Sequence, residues 1–195
     1  LAEAAYRNIQ AVGMPKWSAD DEAFAKAVQT TNGLKVQPLS TEVAELSTPE
    51  NRGPSTGGGS DDIGDIMWTV PTITIRYPSN IPNAIGHNVT SAMAMATPIA
   101  HKGVVVGAKA VAMTVLDLMT TPQLVADAKD YFQNVQLKDQ KYDPVLSPSD
   151  KPAIHLNAET MAQLRPKMEP FYYNPKKYNS YLEQLGIKYP NLPAQ

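Results

Sequence analysis

Residues 57–112 read GGGSDDIGDIMWTVPTITIRYPSNIPNAIGHNVTSAMAMATPIAHKGVVVGAKAVA. A glycine-rich loop with three aspartates opens this stretch, and a loop with a histidine comes later in it. Between the two loops, apolar runs and the alternation of isoleucine with threonine predict short strands at 63–68 and 72–77. A long apolar helix is predicted over 98–119. Because α/β proteins hold their chemistry in loops beside strand ends and helix starts, the stretch predicts an α/β fold.

The long helix carries two patterns that matter for packing. Its predicted core face is formed by Val105, Ala108, Ala112, Val115 and Leu118. Gly103 and Gly107 lower its helix propensity, and they are expected only if another part of the backbone packs closely there. No uninterrupted apolar run approaches the roughly 18 residues that a membrane span needs, so no span is expected.

Two helices are predicted before this stretch. Apolar residues spaced by three and four predict a helix over 1–12, which Gly13 would end. Ser18 followed by Asp21 is typical of an N-cap, and it predicts a second helix that ends at the pair Asn32–Gly33. Both helices are expected to serve packing.

The composition excludes several classes of function. The chain has 195 residues and a net charge of −2, and its Lys and Arg residues form no cluster, so no nucleic-acid partner is expected. The absence of cysteine excludes disulfides, zinc–thiolate sites and cysteine nucleophiles within the sequence. Many of the 17 prolines follow Tyr142. We therefore expect residues 1–143 to form one part of a domain and 144–195 a Pro- and Tyr-rich extension that packs on it.

The three histidines do not encode a complete metal site, because none is paired at i,i+4. His87 follows Gly86 in a loop after a predicted strand, where the backbone could aim its imidazole into a crevice; a structural loop histidine is the alternative. His101 lies in the first turn of the long helix and could hold an anion with free backbone N–H groups. A plain polar residue near a helix start is the equal alternative. His155 is expected at the surface.

The aspartates at positions 61, 62 and 65 leave two interpretations open. They could orient a metal-bound histidine without touching the metal, or they could serve as turn and cap residues. The spacing required for an EF-hand calcium loop is absent. The residues by themselves predict part of an α/β protein with a polar loop cluster.

Three motifs carry a resemblance to a known family. Residues 59–68 read GSDDIGDIMW, residues 86–87 read GH, and residues 100–104 read AHKGV. In this order they resemble the carboxy-terminal part of metal-dependent amidohydrolases and peptidases of the aminoacylase and carboxypeptidase type, and among them the aminobenzoyl-glutamate hydrolases. The resemblance covers about residues 1–135. Asp61 stands where the family has threonine, and Val104 where it has methionine.

The resemblance implies the carboxy-terminal portion of a co-catalytic metallopeptidase-type α/β sandwich that holds two divalent metal ions, zinc or manganese. It places the last histidine ligand at His87, has Asp62 and Asp65 brace or line the site, and puts His101 at its edge as a substrate-binding residue. The other ligands and the glutamate general base would come from an amino-terminal segment, which would be a partner of this chain. A separate lid domain would make the enzyme a homo-oligomer.

The implied function is cleavage of an amide bond in an N-acyl or aminobenzoyl amino acid, such as aminobenzoyl-glutamate, or in a dipeptide. A small amide is thus the expected substrate, and activity would require the amino-terminal segment. The alternative is a non-catalytic subunit or interaction module that keeps the scaffold. Both the bacterial cytoplasm and the periplasm are compatible with the sequence.

Overall fold

The computed structural model describes residues 1–47, 61–190 and 192, and every regular element within them is helical. In chain order the α-helices are α1 (Ala2–Val12), α2 (Ala19–Thr31), α3 (Ile63–Met67), α4 (Val89–Met95), α5 (Pro98–Thr120), α6 (Pro122–Tyr131), α7 (Ala158–Met168) and α8 (Tyr181–Gln184). A π-helical turn at Phe132–Gln136 continues α6, and 3-10 turns occupy Ile154–Asn157 and Glu169–Phe171.

The predicted α/β sandwich is wrong, because the described part of the chain contains no strand. The first predicted strand is helix α3, in which the Ile66 amide donates to the carbonyl of Asp62 at 3.2 Å. Its few apolar residues are too short a run to distinguish a helical from a strand period. Residues 72–77 have no regular secondary structure, and nothing among the described residues pairs with them as a strand. The glycines at 57–59 lie outside the described residues.

The first two helices form as predicted from their end signals. Gly13 ends α1 with φ 73°, a left-handed conformation that suits glycine, and its amide donates to the carbonyl of Ile9 at 2.8 Å. Ser18 caps α2 in a capping box. Its hydroxyl accepts from the Asp21 amide at 3.2 Å, and its own amide donates to the Asp21 carboxylate at 2.8 Å. Local sequence thus decides where both helices begin or end.

The core joins α2, α4 and the start of α5 with the loop after α2 and the loop before α4. Its buried apolar residues are Ala25, Val28, Leu39, Ile81, Ala94 and Ile99, with Trp17, Phe24 and Ala84 packed against them. The fully buried side chain of Gln29 ties these loops together. Its amide nitrogen donates to the carbonyls of Gln37 and Pro82, both at 2.9 Å, and its oxygen accepts from the Gln37 amide at 3.2 Å.

Helix α5 buries its small residues, not the apolar face predicted for it. The buried positions are Ile99, Ala100, Gly103, Gly107, Ala110 and Thr114. A Cβ atom at Gly103 would lie 2.1 Å from the carbonyl oxygen of Pro78, and one at Gly107 would lie 2.2 Å from the ring of Tyr77. The close packing predicted at these glycines is therefore confirmed. The predicted core face is wrong, since Val105 is 53% exposed and Val115 is 47% exposed.

Large apolar side chains of α5 stay exposed between its buried positions, and we term this set the valine face. It comprises Val104, Val105, Val111, Val115, Leu116 and Met119, each between 43% and 74% exposed. By length and composition alone α5 is apolar enough to cross a membrane. The core helix of a soluble protein passes the same criterion, so this property does not show a membrane span.

The chain divides into two compact units. The first comprises residues 1–142 together with Leu192 and contains α1 to α6. The second comprises the described residues of 143–190, where neither α7 nor α8 has a buried residue. The roles predicted for residues 1–143 and 144–195 stay predictions.

Candidate functional site

His87 lies in an exposed turn whose backbone is fixed by the start of α4. Its φ of 55° is in the left-handed region, which is uncommon for a residue other than glycine and often marks a functional or strained position. The next residue, Asn88, caps α4 by accepting from the Thr90 amide at 3.2 Å. The Ser91 hydroxyl also donates to the carbonyl of Ile85 at 2.9 Å. The backbone is held on both sides of an imidazole that is exposed to solvent.

His101 is the fourth residue of α5, and its side chain is exposed. Its own amide is already used, because it donates to the carbonyl of Thr97 at 3.3 Å. The first helical residue, Pro98, has no amide hydrogen to offer an anion. The predicted anion-holding role for His101 therefore depends on its imidazole more than on the backbone beside it.

Lys102, which follows His101, is part of the scaffold. Its ammonium group forms an ion pair with the carboxylate of Asp21, whose side chain is fully buried and also completes the cap of α2. A buried carboxylate requires such a partner, since burial of an unpaired charge is costly. The ion pair fixes the start of α5 against α2 and leaves His101 on the outside.

The acidic motif forms the short helix α3 and the turn before it. The Asp61 carboxylate accepts from the Ile63 amide at 3.1 Å, which is a turn role. Asp62 is exposed and occupies the N-cap position of α3. Asp65 is also exposed, and its carboxylate accepts from the hydroxyl of Tyr142. Turn chemistry therefore accounts for Asp61, whereas the contact of Asp65 with a distant tyrosine is not a turn role.

The predicted site residues do not form a metal site within the part of the chain that the structure describes. No group of three or more His, Asp or Glu side chains there could hold a metal ion. All four predicted site residues are exposed. Asp62 and Asp65 lie at the start and in the middle of α3, His87 lies in the turn before α4, and His101 lies on α5. Their predicted roles stay predictions.

Two surface cavities lie away from these residues. One, of about 450 Å³, belongs to the second unit and runs along α7, with Arg165 and Glu169 among its lining. The other, of about 300 Å³, lies in the first unit between α2 and residues 36–38. Neither cavity is lined by a predicted site residue.

Two contacts at the acidic motif could not be found from the sequence. The hydroxyl of Tyr142 reaches Asp65, and the side-chain amide of Gln136 donates to the carbonyl of Met67 at 3.1 Å. The partners in each contact are far apart along the chain, so no local spacing signals them. The ion pair of Asp21 with Lys102 could not be predicted from the sequence either, because the capping role of Asp21 already explains an aspartate at this position.

Comparison with known proteins gives one significant match in amino-acid sequence. The chain is 26% identical over 160 residues to a subunit of the p-aminobenzoyl-glutamate hydrolase of Escherichia coli (strain K12), and the match covers 69% of this chain and 32% of that protein. The chain thus spans about a third of the length of this relative. No family model matches the chain, and no solved structure matches it. The resemblance predicted from the three motifs is confirmed: the chain is a distant relative of this p-aminobenzoyl-glutamate hydrolase subunit.

Proposed function

We propose that this chain is the carboxy-terminal part of an amidohydrolase that cleaves an amide bond in an aminobenzoyl or N-acyl amino acid, or in a dipeptide. The observation that carries the proposal is the match to a hydrolase subunit over 160 residues. The order of the acidic motif, His87 and the His101 segment along the chain supports it. Aminobenzoyl-glutamate is the first substrate to test, because the relative is named as a hydrolase of this compound.

A second part of the proposal is a shared site with two divalent metal ions, zinc or manganese. The described residues do not fit such a site by themselves, since no suitable group of three side chains exists among them. A protein metal site needs about three or four ligands. His87 would supply one imidazole from its exposed turn, and an amino-terminal segment would supply the remaining ligands and the general base.

The valine face supports the need for an amino-terminal segment. Six large apolar side chains of α5 are 43% to 74% exposed, which is unusual for a helix in the middle of a compact unit. Burying this surface against another segment would recover about 25 cal/mol for each Å² removed from water. The segment that completes the site would then also cover this face. Dimerisation through a lid domain has no support among the described residues and stays a prediction.

The test uses native protein in which this chain is accompanied by its amino-terminal segment. Intact-mass analysis identifies the segment, and hydrolysis of p-aminobenzoyl-glutamate is measured together with metal content. His87→Ala should lose one metal ion and most turnover. His101→Ala serves as the matched control, because it should keep full metal content while raising the KM for a carboxylate-bearing substrate. Full metal content and normal turnover in His87→Ala would refute the ligand assignment.

A non-catalytic subunit is the second candidate. A subunit of this kind needs no metal-competent group, and none occurs among the described residues. Assembled protein without bound metal and without amide hydrolysis would support this candidate and refute the proposed amidohydrolase.

A further inference from the structure

Helix α3 has little apolar packing to hold it in place. It has five residues, none of them buried, and its large apolar side chains Ile63, Ile66 and Met67 are between 38% and 46% exposed. A helix of this length is not stable by itself, because nucleation costs more than so few backbone hydrogen bonds return. The orientation of its carboxylates must therefore depend on polar contacts with the rest of the chain.

Two such contacts come from the region at the end of α6 and just after it. Tyr142 donates its phenol hydrogen to Oδ1 of Asp65, and Gln136 donates from Nε2 to the carbonyl of Met67 at 3.1 Å. One contact holds a side chain in the middle of α3, and the other holds the backbone at its last residue. Two points of attachment restrict both the rotation and the tilt of a short helix.

We propose that Tyr142 is a positioning residue for Asp65, because its hydroxyl sets the direction in which that carboxylate faces. This inference rests on the proposed function, in which Asp65 lies beside the site. A hydrogen bond from a neutral hydroxyl to a carboxylate is charge-assisted and directional, so it selects one rotamer of the acid. Tyr142 is half-buried, which keeps its ring in place while its hydroxyl reaches the exposed acid.

The first experiment measures hydrogen exchange of the peptide covering residues 61–70 in the assembled protein. Tyr142→Phe removes only the hydroxyl and should raise amide exchange in this peptide about threefold to tenfold, as expected for one partly exposed, charge-assisted bond. Tyr131→Phe is the matched control. Tyr131 is an exposed tyrosine of α6, and its variant should leave this peptide unchanged.

A double mutant tests whether the two residues act on each other. In an Asp65→Ala background, Tyr142→Phe should raise exchange less than it does in the wild type, because the bond to Asp65 is already gone. Unchanged exchange in the single Tyr142→Phe variant would overturn the proposal. An equal increase with and without Asp65 would also overturn it, since the hydroxyl would then act elsewhere.

The second experiment asks whether the positioning matters for the reaction. With p-aminobenzoyl-glutamate as the probe, Tyr142→Phe should lower kcat about threefold to tenfold while KM and the fraction of folded protein stay at the wild-type value. A variant with raised exchange but normal kcat would refute the positioning role. If wild-type protein hydrolyses no amide, the proposed function fails, whereas the exchange data still decide whether Tyr142 holds Asp65.

Discussion

Substitution of Gly103 by alanine sets two physical effects of opposite sign against each other. In an open helix, glycine to alanine raises the free energy of unfolding by about 1 kcal/mol, because alanine has the higher helix propensity. At Gly103 the new Cβ would lie 2.1 Å from the carbonyl oxygen of Pro78 and 2.8 Å from the Cα of Ser79. Backbone atoms cannot rotate away as a side-chain tip can, so the segment at 78–79 must move outward from α5.

Overpacking of this kind costs about 1–3 kcal/mol, and the displaced segment also loses the contact between Tyr77 and Gly107. We therefore expect Gly103→Ala to lower the free energy of unfolding by about 1–2 kcal/mol, despite its better helix propensity. The control is Gly64→Ala in α3, where nothing lies within 4 Å of the new Cβ and a neutral or slightly stabilising effect is expected. Urea unfolding followed by far-UV circular dichroism measures both. A higher unfolding midpoint for Gly103→Ala would refute the close approach of Pro78 to α5.

Two further predictions concern α5. Lys102→Met should lower the free energy of unfolding by about 1–3 kcal/mol, because it removes the cation from the fully buried Asp21 carboxylate; a thermal unfolding scan that matches wild type would contradict this. Val115→Lys should change the stability of the chain alone by less than about 0.5 kcal/mol, since the position is exposed, but should weaken association with the amino-terminal segment. Sedimentation of mixtures measures that association, with Ala126→Lys on α6 as the control, and equal association of both variants would refute a binding role for the valine face.

The sequence was sufficient to predict the helices with strong local signals. The Ser18–Asp21 cap and Gly13 were identified from the residues, because caps depend on neighbours in the chain. Helix α5 was predicted to within one residue of its observed end at Thr120, since its start at Pro98 and its apolar composition are also local. These features can be predicted from the sequence because they depend on residues that are close together in the chain.

The errors arose where a second segment decides the structure. Alternating isoleucine and threonine at 72–77 predict a strand, but a strand also requires a partner strand that a local pattern cannot guarantee, and the described residues provide none. The core face of α5 was misassigned because large apolar residues were expected inside. Tyr77 and Pro78 instead pack against Gly103 and Gly107, and small residues are the ones that allow this approach.

The candidate site was less predictable than the fold. The motifs identified His87 and Asp65 as candidates, yet nothing near either residue in sequence indicated the hydroxyl of Tyr142 or the amide of Gln136. Hydrogen bonds between distant side chains depend on the packing of whole elements, which no spacing rule encodes.

The hydrogen bonds of the Gln29 side chain have a consequence for pairing between this chain and other chains. A carboxamide has the same donor and acceptor groups as a peptide unit, and Gln29 presents them to the backbone at Gln37 as a neighbouring strand would. Unpaired backbone groups of an extended segment are ordinarily a template on which another chain can add a strand. At Gln37 both backbone groups are already satisfied from inside the molecule. A single buried side chain thereby keeps Gln37 from offering either of its backbone groups to another chain.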